Sequence, residues 1–379
     1  MSIYRDIFEI LKREIQVGKF DAGGKFPSER ALMRRFSVAR ETVRHAIAEL
    51  REHNLIEPRP GTFNVLAFRA RERAAGTFGV IMPDAYYQFY SRIEFGIEKN
   101  AHDSGSGMFS LLSADLGSGG RSSQMARAFD FADVCVREQV LGVFFQPFQF
   151  ERDSEKVNKA ILSVFDKASI PVVLIDSDIV APPRRSGYDL VGVDNVALGY
   201  ELGRHVITRG ARKIIYFSNP YAAPTSLLRG YGVSLAVTEV SLPWRNDSVF
   251  FADPTDKAAA RRLFSSKKRP DAIIAVNDHV ASLLLKTLNA IGIRVPADVL
   301  LTGVNGDDTS SQSNPPITTA VQLCERIGEA AVQLILQRIK DPSLPPREIL
   351  LTASLEVRSS TRRKLEHTAK PSRKKGKST

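Results

Sequence analysis

The chain has 379 residues and only two cysteines, Cys135 and Cys324, which form no motif with each other. That excludes a disulfide framework and suits packing roles in a reducing compartment. Six histidines are scattered without metal-ligand spacing, so no metal site is expected. No apolar run approaches the roughly 20 residues of a membrane helix. Met1 leads straight into MSIYRDIFEILKREI, an amphipathic stretch carrying several charges rather than a charged start followed by an apolar core. A cytoplasmic location, with no membrane partner, is the expectation. No Gly-x-Ser-x-Gly elbow occurs. Gly117-Ser118-Gly119-Gly120 lacks the Lys-Ser/Thr of a phosphate loop and reads as a flexible loop. No catalytic residue is assigned, and neither an enzyme nor a cofactor is expected.

Charge is present but unevenly placed. The formal net charge is +11; residues 1–75 hold 15 Lys and Arg against 10 Asp and Glu, and residues 362–379 hold 8 against a single Glu. The body between them is nearly neutral, so the basic surplus sits at the two ends. This points to nucleic acid at the N-terminal end rather than to a uniformly sticky surface. A hydrophobic content of 43% suits a globular protein long enough for two or three domains.

The most informative stretch is Phe26 to Leu66, FPSERALMRRFSVARETVRHAIAELREHNLIEPRPGTFNVL. Ser28 can cap a helix that carries Leu32, Met33 and Phe36 inward, and Ser37-Val38-Ala39 makes a turn. A second helix follows with Val43, Ala46, Ile47 and Leu50 at the spacing of one buried face. Arg40 and Arg44 are four residues apart and project side by side from its flank. Asn54 suits a left-handed stop. Two short apolar runs, Leu55-Ile56 and Phe63–Leu66, flank Arg59-Pro60-Gly61-Thr62, a hairpin with a turn-forming tip. The helix over residues 3–15, with Ile3, Ile7, Ile10, Leu11 and Ile15 on one face, braces the other two.

This stretch resembles the winged helix-turn-helix of GntR-type bacterial transcription regulators. The resemblance is carried by Phe26-Pro27-Ser28-Glu29-Arg30, Val38-Ala39-Arg40-Glu41-Thr42-Val43-Arg44 and Pro60-Gly61. It implies DNA contacts by Arg30, Arg40, Thr42 and Arg44 and by the wing tip Pro60-Gly61. Guanidinium groups suit phosphates and the paired acceptors of guanine. For each arginine the alternative is a solvated charge or an ion pair within the domain, with Glu41 a nearby partner. Ala39 stands where the family usually has Ser or Thr, and Pro60 where many members have a polar residue.

Residues 67–76, AFRARERAAG, read as a linker. From Thr77 short apolar runs alternate with helical periods. The runs include Phe78–Met82, Leu141–Phe145, Pro171–Asp176, Leu190–Val193, Ala272–Val276 and Val299–Val304. Helical periods lie between them, such as Val157–Ala168, Ala197–Thr208 and His279–Ile291. The alternation predicts α/β architecture with parallel sheets, and the length predicts two doubly wound lobes.

Over this region the chain resembles the effector-binding domain of the lactose-repressor (LacI/GalR) family, a type I periplasmic-binding-protein-like fold. The matching runs include Val80–Asp84, Ile170–Asp176, Val193–Gly199 and Arg209–Ile214. They continue with Arg229-Gly230-Tyr231-Gly232, Pro270–Asp278 and Leu301–Asn305, the last followed by Pro315–Thr319. The resemblance implies two lobes with a ligand, commonly a sugar, in the cleft between them. Chain crossovers are expected near 177–189, 304–310 and 338–345, and a final strand over Ile349–Val357. It marks Asp176, Arg229, Asn277 and Asn305 as effector-binding; the family commonly has Asp where Asn305 stands. Phe89, Tyr90, Phe148 or Trp244 could stack on a ring or belong to the core or rim. Asp278 and Asp194 read as helix caps.

The expected organisation is a winged helix-turn-helix over 1–66, a linker over 67–76, a two-lobed effector domain over 77–361 and a disordered basic tail over 362–379. The tail adds nonspecific DNA affinity or merely solubility. The expected function is a ligand-responsive DNA-binding regulator, dimeric on a palindromic operator and most commonly a repressor released by a sugar. The alternative is a sugar-binding module or transport receptor without a regulatory role.

Overall fold

The structure is a computed structural model that describes residues 3–16, 26–53, 55–59, 63–66, 76–82, 88–111, 121–149, 153–219, 223–265 and 269–362. The N-terminal head contains α1 (Ile3–Gln16), α2 (Glu29–Phe36), α3 (Arg40–Glu52), β1 (Ile56–Arg59) and β2 (Phe63–Leu66). The two strands form an antiparallel hairpin with Ile56 opposite Leu66. The head has its own core of Ile7, Phe8, Leu11, Ile15, Phe26, Leu32, Val43, Ala46, Ile47, Leu50, Leu55 and Ile56. The buried face of α1 is rotated from the expected one. Phe8 joins Ile7, Leu11 and Ile15, while Ile3 and Ile10 are 62% and 43% exposed. At 100° per residue Phe8 lies on the same side of Ile7 as Leu11 and Ile15, whereas Ile3 and Ile10 fall on the other.

In chain order the body runs β3 (Thr77–Ile81), α4 (Gln88–Asp103), β4 (Gly107–Leu111), α5 (Arg121–Arg137), β5 (Gly142–Phe145), α6 (Ser154–Lys167), β6 (Val172–Ile175) and β7 (Asp189–Val193). It continues with α7 (Asn195–Thr208), β8 (Ile214–Ser218), α8 (Pro224–Glu239), β9 (Val249–Phe251), α9 (Lys257–Ser265), β10 (Ala272–Ala275), α10 (Asp278–Ala290) and β11 (Leu300–Asn305). The last elements are α11 (Asp308–Gln312), β12 (Thr318–Val321), α12 (Cys324–Lys340), β13 (Glu348–Leu351) and β14 (Ser354–Glu356).

Two six-stranded sheets result, ordered β13-β7-β6-β5-β3-β4 and β14-β12-β11-β10-β8-β9. Every pairing in the first is parallel. In the second only the β12–β14 pairing is antiparallel. Both sheets share one wiring: the first strand lies inside, the second goes to one edge, and the next three build outward on the other side. The buried strands are continuous apolar runs, such as Val172–Ile175 and Ala272–Ala275, because helices cover both faces of a parallel sheet.

The chain divides into two compact units, Met1–Asp194 with Tyr221–Leu227 and Gln322–Ala353, and Asn195–Pro220 with Leu228–Val321 and Ser354–Thr379. The exchanges therefore fall elsewhere than expected. Segment 177–189 does not leave its unit, because it returns to pair β7 with β6. Segment 304–310 stays too, because β12 pairs with β11. The expected strand Ile349–Val357 is two strands, β13 against β7 and β14 against β12, so the change of unit occurs between them. Strand β12 was not expected: Thr-Thr-Ala-Val is short and half polar, below the threshold of an apolar-run reading. Both cysteines are buried, and burial pushes the Cys135 thiol up to about 12, in line with a packing role. Among the described residues no helix is long and apolar enough to cross a membrane.

Two buried polar clamps hold the sheets in shape. In the first unit Arg338 of α12 grips Asp189 of β7 through two parallel hydrogen bonds of 2.9 and 3.0 Å. Its remaining donors go to the carbonyls of Pro342, Leu344 and Pro345. Asp189 also accepts from the Arg347 backbone N–H at 2.8 Å, so the pair fastens the segment that delivers β13. In the second unit the Asp278 carboxylate is fully buried. Its Oδ1 accepts from the Thr319 hydroxyl at 2.7 Å, and its Oδ2 from the backbone N–H groups of Gly306 and Asp307 at 2.9 and 2.8 Å. It is thus a tie between α10, β12 and the turn after β11, not the helix cap expected of it. Asn277 takes that role, accepting from Val280 N–H at 2.8 Å. Gly303 is required beside this tie, since a Cβ there would stand 2.1 Å from Asp278 Oδ1.

The clamps generate two expectations. Removing one partner of a buried pair strands the other charge, so Arg338→Ala is expected to cost about 3–5 kcal/mol of stability, read by denaturant unfolding. A loss below about 1 kcal/mol, the value of an exposed pair, would contradict this. Desolvation raises the Asp278 carboxyl to about 7, assisted by the nearby charge of Asp307 and opposed by its hydrogen-bond donors. The folded chain thus holds this proton more tightly than the unfolded chain. The stabilisation it brings is complete below about pH 4 and is lost as pH rises through about 7. Between about pH 5 and pH 8 the melting temperature of the wild type should fall relative to that of Asp278→Asn; parallel profiles would refute the assignment.

Candidate functional site

The head presents one helix outward. Ser28 caps α2 by accepting from Ala31 N–H at 3.2 Å. Ser37 ends α2 in the left-handed region at φ +53°, its N–H bonded to the Met33 carbonyl, and Ala39 turns the chain into α3. Ala39 occupies the N-cap of α3 and gives no side-chain bond, so a hydroxyl there would also have served as a cap. Val43, Ala46, Ile47 and Leu50 point into the core as expected from their spacing. The opposite face of α3 shows Arg40 and Arg44 side by side, with side chains 69% and 58% exposed. Arg30 is exposed on α2, and Thr42 is half-buried on the first turn of α3. Glu29 stands beside both helix α3 arginines, while Glu41 approaches only Arg44, at 3.7 Å. Pro60, Gly61 and Asn54 lie outside the described residues.

In the body, parallel pairing sends every strand but β14 out at the same edge of its sheet, and most of the candidate ligand residues lie toward that edge. In the first unit β3 and β5 are neighbours whose connections run to opposite sides, the switch point at which open α/β sheets hold ligands. Asp176 follows β6, is buried, and has a positive φ of 70°. Its Oδ2 accepts from the Tyr90 hydroxyl at 2.9 Å, so Tyr90, on the first turn of α4, and Asp176 are brought together. Phe89 is buried and packs its ring edge to face with Tyr90 at 4.8 Å. Phe148 belongs to the core instead of lining the edge. It packs on Phe145, and its backbone N–H and carbonyl are both held by Asn158. Sequence reasoning missed three buried polar residues at this edge: Gln146, Gln149 and Ser177, the last two joined by a 2.6 Å hydrogen bond. The signal was legible in Gln146, an amide set immediately after an apolar strand, with Gln149 three residues on.

In the second unit β8 and β10 flank the equivalent switch point. Arg229, on α8, is buried and reaches the end of β10. Its Nε and Nη2 donate to Asn195 Oδ1 at 3.2 and 2.7 Å, and its Nη1 donates to the Val276 carbonyl at the end of β10. The helices α7 and α8 approach closely here: a Cβ at Gly199 would lie 1.9 Å from the Arg229 carbonyl. Asn195, which sequence reasoning passed over, is thus the side-chain partner of the guanidinium. Asn277 and Asn305 leave adjacent parallel strands at the same edge. Asn305 adopts φ +118°, a costly conformation for a residue with a side chain, and donates from Nδ2 to Asp307 Oδ2 at 3.1 Å. Trp244 precedes β9 by five residues, on the side where that strand begins. Asp176 and Asn305 are both non-glycine residues with positive φ, a form of backbone strain that gathers at functional sites. Among the described residues no group of three His, Cys, Asp or Glu is placed to hold a metal ion.

Comparison with known proteins agrees with both parts. The family of bacterial regulatory proteins named gntR matches residues 3–62, and the periplasmic binding protein-like domain family matches residues 204–361. The HTH-type transcriptional repressor PurR of Photobacterium profundum is 23% identical over 290 residues, 76% of this chain and 81% of that protein. The solved complex of the transcriptional regulator CelR with cellobiose superposes with a TM-score of 0.62 at 22% identity, covering 85% of this chain and 90% of that one. A LacI-family regulator of Enterococcus faecium with bound ribose gives a TM-score of 0.58 at 22% identity, over 75% of this chain and 98% of that one. These relatives are transcription regulators. The chain joins a GntR-type helix-turn-helix domain at its N-terminus to a periplasmic-binding-protein-like domain, and its homologues are LacI-family regulators.

Proposed function

We propose that this protein is a ligand-responsive transcription regulator, most simply a repressor, whose affinity for operator DNA is set by a small polyhydroxylated molecule. The observation that carries the reading is the exposed pair Arg40 and Arg44 on the outward face of α3. Arginines so placed can meet phosphates and the O6 and N7 of guanine. Arg30, Thr42 and the wing tip Pro60-Gly61 complete the proposed DNA surface. The working boundaries are 1–66 for the DNA reader, 67–76 for a linker, 77–361 for the effector domain and 362–379 for a basic tail.

For the ligand, Asp176 with Tyr90 and Phe89 in one unit, and Arg229, Asn277 and Asn305 in the other, are the proposed contacts. Carboxylate, guanidinium and amide groups can bind vicinal hydroxyls through paired hydrogen bonds. Relatives solved with cellobiose and ribose support a sugar as the first class to test. A homodimer on a palindromic operator is the proposed assembly, because one short half-site offers little specificity. Leu227, Tyr231 and Leu235 form an exposed stripe at four-residue spacing on α8, and this is an apolar surface such an assembly could cover.

Arg44→Ala is expected to weaken binding to a duplex selected by the wild type by about tenfold or more, the ~1–3 kcal/mol of a good base contact, with ligand binding intact. Unchanged affinity in a gel-shift titration would sink the assignment. Arg229→Ala is expected to lose the melting shift that a sugar library gives with the wild type, yet still bind DNA. A wild-type shift in that variant would show that the ligand residues lie elsewhere.

A further inference from the structure

Arg40 and Arg44 converge on one carboxylate. Arg40 Nε donates to Glu29 Oε2 at 2.9 Å, and Arg44 Nε lies 3.8 Å from Glu29 Oε1. Glu29 is the first residue of α2, fixed there by the Ser28 cap, and its side chain is 35% exposed, well below the two arginines it faces. The geometry of the closer pair is specific. A guanidinium carries five N–H donors in a rigid planar fork. Engaging Nε alone leaves both terminal nitrogens of Arg40 available, and among the described residues no other hydrogen bond or ion pair of Arg40 is found.

We propose that Glu29 is a positioning, specificity-determining residue for DNA reading, which holds Arg40 by Nε so that its two terminal nitrogens are presented as a fork to a guanine. This rests on the reading of the head as a DNA-binding domain. An exposed arginine is conformationally free, and anchoring it before contact lowers the entropy lost on binding. The fork then matches O6 and N7 of guanine only in one orientation, which penalises other bases. Arg44, at ion-pair distance only, is oriented less tightly by the same carboxylate. Glu41, the acidic neighbour that the sequence brings to mind, approaches Arg44 alone.

A carboxylate beside the DNA surface also has a purely electrostatic effect, and the two roles have opposite consequences. If Glu29 only repels phosphates, its removal strengthens binding to every duplex alike. If it orients Arg40, its removal lowers discrimination between duplexes. The pair is exposed and contributes little to stability, so variants at this position should fold.

The test uses the full chain, a duplex enriched by the wild type from a random-sequence library, and the same duplex with each guanine of the half-site changed in turn to adenine. Affinities are read by fluorescence anisotropy at one fixed salt concentration. Glu29→Ala is expected to reduce the preference for the enriched duplex at one guanine position by about tenfold, while binding to an unrelated duplex is unchanged or slightly tighter. Glu29→Gln keeps an oxygen that can accept from Nε and should restore most of the preference. Arg40→Lys should lose the same preference, and Glu29→Ala should add nothing further to it. Equal strengthening of all duplexes by Glu29→Ala, with preferences unchanged, would overturn the proposal. Failure of the wild type to enrich any duplex would overturn the reading of the head itself, and the proposal with it.

Discussion

Neighbouring strands of a parallel sheet run the same way, so every connection leaves them at one edge. That constraint governs the body of this protein. The strands must be apolar on both faces because helices cover both, as in Val172–Ile175 and Ala272–Ala275. Polar chemistry is displaced to the residues just beyond the strand ends. Gln146, Asp176 and Ser177 occupy that position in one unit, and Asn277 in the other, with Asn305 as the last residue of β11. The reversal of connection direction at β3/β5 and at β8/β10 leaves an opening in each edge, and Arg229 is tied to the end of β10 by its bond to the Val276 carbonyl.

An edge built from loops holds its geometry only if the loops are fastened, and the fastening here is buried and polar. Asp278 gathers the Thr319 hydroxyl and two backbone N–H groups, which fixes the turn that carries Asn305 at φ +118°. Arg338 and Asp189 fix the opposite end of the other sheet, where the sixth strand is added from far along the chain. Both are costly to bury and strongly destabilising to break, so they give rigid geometry where apolar packing alone would leave choice. Asn195 does the same for Arg229, holding two of its nitrogens on one oxygen.

The fold class was legible in the sequence because long apolar strands and amphipathic helices are signals that local pattern carries. The head was legible for the same reason: Val43, Ala46, Ile47 and Leu50 are buried as their spacing implies. What local pattern does not carry is partnership. The run Ile349–Val357 reads as one strand, but its halves pair with β7 and β12 in different sheets. Thr318–Val321 is buried only because β11 and β14 flank it. Asp278 looks like a helix cap until the turn at Gly306 and Asp307 folds back on it. Each miss is a contact between residues far apart in the chain. Asp176, Arg229, Asn277 and Asn305 were marked as candidates by family resemblance, which left Asn195, Gln149 and Ser177 unmarked as ligand residues.

In the proposed function one chain couples a DNA reader to a ligand-binding body, so that binding at either site alters binding at the other. Coupling of this kind is reciprocal, and reciprocity is its most direct test. The affinity of the full chain for its enriched duplex should be measured with and without the sugar that most raises its melting temperature, and the affinity for that sugar with and without the duplex. Both affinities are expected to change by the same factor, on the order of 5- to 150-fold. A sugar that binds equally well to the free and the DNA-bound chain would contradict it.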